Sequence, residues 1–305
     1  MGEADDGRSG TAQERVSPAE LFTEVIAQGL LTLARGRDLV DRCLTDEQSV
    51  DDFGFDPELT DEMILAPFRP LYEKYFRVTV EGLENVPDEG GALVVANHSG
   101  TLPLDALMLQ VALRDRHPAQ RALRLLAADL VFDLPVLRTL ARRAGHTEAR
   151  MDNALRLLER GELVGVMPEG YKGLGKPFGE RYRLRRFGRG GFASAALRTG
   201  TPIVPCAVVG AEEIYPMVAD ARPLARLLRL PYFPITPTFP LLGPLGAIPL
   251  PTKWTIRFGT PLPTASYAQD SLDDPMFVHK ISDEVRDTVQ DMLTKMVGER
   301  RSLFG

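Results

Sequence analysis

The segment Asn97-His98-Ser99-Gly100-Thr101-Leu102-Pro103-Leu104-Asp105 sets a histidine and a carboxylate on one loop, directly after the apolar run Leu93-Val94-Val95-Ala96. A carboxylate that accepts from one imidazole nitrogen fixes the tautomer and leaves the other nitrogen free to take a proton. Each residue also has a plainer reading: a loop histidine, and an aspartate favoured by a helix N-terminus. A second loop, Pro168-Glu169-Gly170-Tyr171-Lys172-Gly173, follows the apolar run Leu163 to Met167. Residues 172–189 then hold Lys172, Lys176, Arg181, Arg183, Arg185, Arg186 and Arg189 against Glu180 alone, a local charge of 7 − 1 = +6. Such a stretch reads either as a solvated basic loop or as a site for an anion, whether a phosphate-bearing ligand or an anionic membrane surface.

Gly170-Tyr171-Lys172-Gly173-Leu174-Gly175-Lys176 also fits the phosphate-loop pattern G-x-x-x-x-G-K. That pattern needs a Ser or Thr next for magnesium, and Pro177 stands there instead. Nucleotide hydrolysis is therefore not the reading taken.

These loops need a frame. Short apolar runs at 77–80, 92–96, 123–127, 163–167, 203–209 and 255–258 alternate with helical patterns near 105–113, 135–144, 152–160 and 188–199. Alternation of this kind predicts an α/β fold, with a largely parallel sheet flanked by helices. Asp274-Pro275 opens a terminal helix with Phe277, Ile281, Val285, Val289, Met292 and Met296 along one face. Upstream, residues 1–15 read as a disordered tail and 16–76 as a helical N-terminal extension, leaving 77–305 as the α/β domain. Within the extension, Ser17-Pro18-Ala19-Glu20 caps a helix running to about Cys43. Residues 45–62 carry eight carboxylates and no basic residue, which reads as a solvated acidic linker. A further helical stretch, 61–76, is interrupted at Pro67 and Pro70.

With 44% hydrophobic residues, 26% charged residues and a net charge of −6, the composition is that of a folded globular protein without bulk nucleic-acid affinity. Cys43 and Cys206 are the only cysteines, so neither a disulfide framework nor a thiolate zinc site is expected. Met1 to Arg15 has no apolar core of the kind a signal peptide needs.

His98 at a strand end with a following Asp resembles the first motif of the glycerophosphate and lysophospholipid acyltransferase family. Four residues usually separate the two in that family; here the pattern is His-x6-Asp, and Pro103-Leu104-Asp105 resembles the Pro-x-Asp ending of some neutral-lipid relatives. Met167-Pro168-Glu169-Gly170-Tyr171-Lys172 resembles the family's Phe-Pro-Glu-Gly-Thr-Arg motif, and Val204-Pro205 before an apolar strand resembles its fourth. Ala144 to Arg150 stands where the second motif belongs and supplies Arg150. The resemblance covers about residues 77–262. It implies His98 as general base and Asp105 as its orienter, with Glu169, Gly170, Lys172, Lys176, Arg181 and Arg150 around the acceptor. It implies no metal and no bound cofactor, with acyl-CoA or an acyl carrier protein thioester as co-substrate.

Residues 227–251 contain one charge, Arg229, and seven prolines among leucines and aromatics. So many prolines forbid a continuous spanning helix, and leave either a packed loop or a surface that dips into lipid. The expected protein is a cytoplasmic acyltransferase, peripheral on the inner face of the membrane, acting on a lysophospholipid or lysophosphatidic acid. Two alternatives stay open: a diacylglycerol-type acyltransferase, and a non-catalytic lipid-binding or membrane-recruitment protein on the same scaffold.

Overall fold

The computed structural model of the chain describes residues 50–99, 104–133, 135–227, 232–267 and 274–304. The expected tail and first helix, and residues 100–103 between His98 and Asp105, lie outside them.

The sheet has seven strands: β1 Thr79–Glu81, β2 Ala92–Ala96, β3 Leu123–Ala127, β4 Thr147–Glu148, β5 Leu163–Val166, β6 Ile203–Val209 and β9 Thr255–Phe258. Their spatial order is β1-β9-β6-β2-β5-β3-β4. Strands β6, β2, β5, β3 and β4 run parallel, with Val95 opposite both Val166 and Pro205. Strand β9 runs antiparallel to β6, and β1 joins β9 in parallel. A separate hairpin pairs β7 Ala219–Asp220 with β8 Pro234–Ile235.

The central strands are buried on both faces, as apolar runs without alternation require. On one face Ala92, Val94, Leu123, Leu125, Val204 and Val208 pack against α1 Leu104–Arg116 and against Tyr72 and Phe76. On the other, Leu93, Val95, Val164 and Ile203 pack against α3 Met151–Glu159, α5 Gly191–Thr199 and the long α7 Pro275–Glu299. α2 Pro135–Arg143 leads into the edge strand β4. α7 begins as the sequence indicates: Asp274 accepts from the Met276 amide, with Pro275 in the first turn. The parallel strands β2 and β5, and β6 beside them, all end on one edge of the sheet. The loops at 97–99, 168–170 and 210–212 therefore leave the sheet side by side.

Two expectations for the N-terminal part give way. Residues 57–76 are not a separate helical extension. They fold as one turn of α-helix, Pro57–Leu59, followed by π and 3₁₀ turns, with Pro67 inside the 3₁₀ turn and Pro70 leading into the second π turn, and they enter the main core. Phe76 stacks on Trp254 with ring centroids 4.6 Å apart. The acidic stretch, in its described part from residue 50, is not a solvated linker but a docked strap. Asp51 meets Arg124 at 2.7 Å, Asp52 pairs with Arg160, and Asp61 bonds Arg69 and Arg114. Phe53 lies against the guanidinium groups of Arg156 at 4.6 Å and Arg160 at 5.5 Å, and Phe55 against Arg124 at 4.4 Å. The carboxylates are held because arginines from the domain's own β3, α3 and α1 meet them, which a charge count along the chain cannot show.

Candidate active site

Strand β2 delivers Asn97 and His98 to the loop edge. Asn97 is buried and clamps the ends of two strands together: its Nδ2 donates to Val208 O at 3.0 Å, and its Oδ1 accepts from Val208 N at 2.7 Å. His98 follows, with 14% of its side chain exposed. Its Nδ1 lies 2.8 Å from Asp105 Oδ2, inside the range expected for a direct hydrogen bond. Asp105 sits in the first turn of α1 and is fully buried. Its carboxylate also accepts from the Ser99 amide at 2.8 Å and the Ala106 amide at 2.9 Å. A carboxylate oxygen facing Nδ1 accepts the ring proton's hydrogen bond and so places that proton on Nδ1. Nε2 has no hydrogen-bond partner among the described residues, so it is the basic nitrogen of the pair.

Strand β5 delivers Glu169. Its Oε2 accepts from the main-chain N–H of His98 at 3.3 Å, its Oε1 accepts from the Arg185 amide at 2.7 Å, and Lys176 Nζ lies 3.3 Å away. Gly170 turns the chain at φ +56°, a conformation that glycine adopts without cost. The short helix α4, Tyr171–Leu174, then packs on the histidine loop. A side chain at Gly173 would come within 2.9 Å of His98 O and of the Glu169 Cβ, so only glycine fits there.

The basic residues divide into two sets. Lys176 is buried, 2% exposed at its side chain, between Glu169 and Glu212, whose Oε1 lies 3.0 Å from Nζ. It is an internal counter-ion, and the phosphate-loop pattern has no counterpart here. Arg181 stacks on Phe178 at 4.3 Å and lies 3.8 Å from Glu213. Lys172 is exposed, and so are Arg183, Arg186 and Arg189; none has an ion-pair partner among the described residues. Arg150 is exposed beyond β4, three strands from β2. That spacing puts it about 14 Å across the sheet from the histidine.

Several residues of the site are not evident from the motifs. Glu212 holds Lys176 and accepts from the Tyr182 amide at 3.0 Å; burial pushes its carboxyl up to about 7. Gln290 of α7 pins the same loop, accepting from Leu184 N at 2.9 Å and donating to Tyr182 O at 2.8 Å. Tyr182 itself is held at φ +62°, a strained value for a non-glycine residue. Tyr232 packs over Gly175, and burial pushes its phenol up to about 12, with the charge of Asp105 adding to the effect. Glu212 had a signal: it follows the buried strand β6 as Glu169 follows β5. Gln290 and Tyr232, remote in sequence, had none.

Comparisons with known proteins give a family match over part of the chain and a likeness of fold. The family model described as Acyltransferase matches residues 77–209. An uncharacterized protein of Mycobacterium tuberculosis is 59% identical over 261 residues, covering 86% of this chain and 73% of that one. One of Mycobacterium leprae is 56% identical over 261 residues, with 86% and 71% covered. A bovine protein named as a DGAT1/2-independent enzyme synthesizing storage lipids is 23% identical over 216 residues, covering 71% of this chain and 59% of its own. The crystal structure of the 1-acyl-sn-glycerophosphate acyltransferase PlsC from Thermotoga maritima superposes with a TM-score of 0.54 at 16% identity, over 93% of this chain and 98% of the other. The family match runs from β1 to the end of β6, across the strands that carry His98 and Glu169, so residues 77–209 match the Acyltransferase family and the fold around them is similar to that of PlsC.

Proposed function

We propose that the protein transfers a fatty acyl group from a thioester, acyl-CoA or acyl carrier protein, to a hydroxyl of a lysophospholipid or lysophosphatidic acid. The observation that carries the reading is the His98–Asp105 hydrogen bond of 2.8 Å at the carboxyl end of β2. His98 Nε2 takes the proton of the acceptor hydroxyl as its oxygen attacks the thioester carbonyl. Asp105 stabilises the imidazolium so formed. The tetrahedral adduct collapses, the C–S bond breaks, and the leaving thiolate takes the proton back from the imidazolium. No covalent enzyme intermediate is needed.

Lys172, Arg183, Arg186 and Arg189 offer positive charge beside this site, since the Arg185 amide bonds the same Glu169 that holds the His98 amide. The phosphate of a phosphorylated acceptor or of coenzyme A suits them. The membrane would be met by the Pro-broken segment, where Leu241 is 82% exposed and Leu242 and Leu245 are also exposed. No helix among the described residues is long and apolar enough to cross a bilayer. A neutral acceptor is a second reading. It is favoured by the similarity to the bovine storage-lipid enzyme and by the withdrawal of Lys176 from the surface.

The test is incubation of purified protein with labelled acyl-CoA and a panel of phosphorylated and neutral acceptors, with identification of the product. Acyl transfer that His98→Ala abolishes is the expected result. Binding of lipid with no thiol release, in wild type and mutant alike, would point to a recruitment protein. Vesicle flotation checks the membrane part: binding to anionic vesicles at low salt that high salt weakens is expected.

A further inference from the structure

Behind the histidine loop lies a buried cluster of three ionisable groups that acyl transfer itself does not use. Lys176 Nζ is 3.3 Å from Glu169 Oε1, 3.0 Å from Glu212 Oε1 and 3.4 Å from the carbonyl of Arg183. All three residues are less than a tenth exposed. Glu212 spends its second oxygen on the Tyr182 amide, and Glu169 spends its two on the amides of His98 and Arg185. The Lys176 ammonium is thus the hub of a chain of contacts running from β6, through α4 and the basic loop, to the main chain of the proposed base.

Two features mark this chain as more than a stabilising ion pair. The cluster buries two carboxyl groups around one ammonium, and burial of ionisable groups is costly. An apolar core of the same volume would be cheaper. The cluster also ends on main-chain N–H groups rather than on side chains, which is how a protein fixes a loop in space. Tyr182, bonded to Glu212, is in addition held in a strained backbone conformation.

We propose that Lys176 and Glu212 are positioning residues for acyl transfer. Glu212 orients the Lys176 ammonium, and Lys176 holds the Glu169 carboxylate where it grips the His98 and Arg185 amides at once. The pair thereby sets the distance between the base and the basic loop that faces the acceptor. The inference rests on His98 acting as base, and it gives Glu169 a role in shaping the site from within.

The test uses Lys176→Met, the double variant Lys176→Met/Glu212→Gln, and Glu212→Gln, each in the full chain. The double variant removes the ammonium together with one of the two carboxyls it faces, so no second carboxyl is left without its counter-ion, and it should recover thermal stability that Lys176→Met loses. It should not recover positioning. We expect its kcat to stay about ten- to a hundredfold low, as displacement of a reacting group by about 1 Å typically costs. Hydrogen exchange, followed by mass spectrometry on peptides covering residues 93–99, reads the His98 amide without reference to catalysis and should speed up in the same variant. If the methionine variants do not fold, Glu212→Gln is measured alike: its single amide oxygen cannot serve both Lys176 and Tyr182, so faster exchange and lower kcat are again expected. Parent-like exchange and kcat in whichever of these variants folds would overturn the proposal. Faster exchange in a protein whose His98→Ala variant transfers acyl groups normally would instead keep the positioning chain and remove the base.

Discussion

Replacing Asp105 with asparagine keeps the shape of the side chain and removes its charge. Oδ2 accepts from His98 Nδ1 and from the Ser99 amide, each at 2.8 Å, while Oδ1 accepts from the Ala106 amide at 2.9 Å. Asparagine has one oxygen for these two sides. If its nitrogen faces His98, Nδ1 must become the acceptor and the ring proton moves to Nε2, where the base is needed. If its oxygen faces His98 the tautomer survives, but the imidazolium formed during proton transfer loses its counter-charge. Opposite charges with centres about 4 Å apart, at an effective dielectric near 20, attract by about 4 kcal/mol. At about 1.4 kcal/mol per decade, kcat should fall roughly 10³-fold. The assay is thiol release from acyl-CoA in the presence of lysophosphatidic acid, with circular dichroism and melting to establish that the variant folds. Adding His98→Ala should then cost little more, because the two residues act as one unit. A folded Asp105→Asn protein whose kcat stays within about tenfold of the parent would refute the counter-charge argument.

Lys172→Ala should weaken use of phosphorylated acceptors roughly tenfold to over a hundredfold, the worth of a charge-assisted hydrogen bond, and spare neutral ones; equal loss on both acceptor types sinks the phosphate contact. Phe53→Ala removes the ring on which Arg156 and Arg160 rest, and should lower stability by about 2 kcal/mol in thermal or urea melts without touching kcat; an unchanged midpoint would show the strap to be idle. Glu212 carries a carboxyl raised from the ordinary 4.5 to about 7 by burial, so the native state holds its proton more tightly than the unfolded chain. Its contribution is therefore fully favourable below about 4.5 and is lost as pH rises through about 7, on the order of 3 kcal/mol in all. Glu212→Gln should gain on the parent in denaturant melts across that window, and a pH-independent difference between the two proteins would contradict the assignment.

The parallel centre of the sheet was legible because fully buried strands read as unbroken apolar runs. Ala92–Ala96, Leu123–Ala127 and Ile203–Val209 stand where the pattern put them. The direction of β9 was not legible: Thr255–Phe258 looks like any short strand, and only its partners make it antiparallel to β6. Strand β4, two residues long, gave no periodic signal at all. In the site, the rule that functional groups gather beyond strand ends drew attention to His98 and Glu169. The same rule could have reached Glu212. What it cannot deliver is the difference between Lys172, exposed, and Lys176, buried four residues later, because that depends on how the loop folds back onto Glu169 and on Glu212 from the end of another strand. The acidic stretch misled for the same reason, since its arginine partners lie up to 108 positions away.

The insertion of β9 between β1 and β6 constrains how this protein is born. Strand β1 precedes every other strand of the sheet in the chain, yet its partner is Thr255–Phe258. Phe76 likewise waits for Trp254. Until β9 docks, β6 presents a long apolar strand, buried along its whole length in the fold, with one edge unpaired. Contacts of such sequence separation slow folding, and an open apolar edge invites pairing with another chain. An open β6 edge is therefore the aggregation-prone feature of a partly folded chain. Helix α7, which packs on both α5 and β6, covers a face of the same strand.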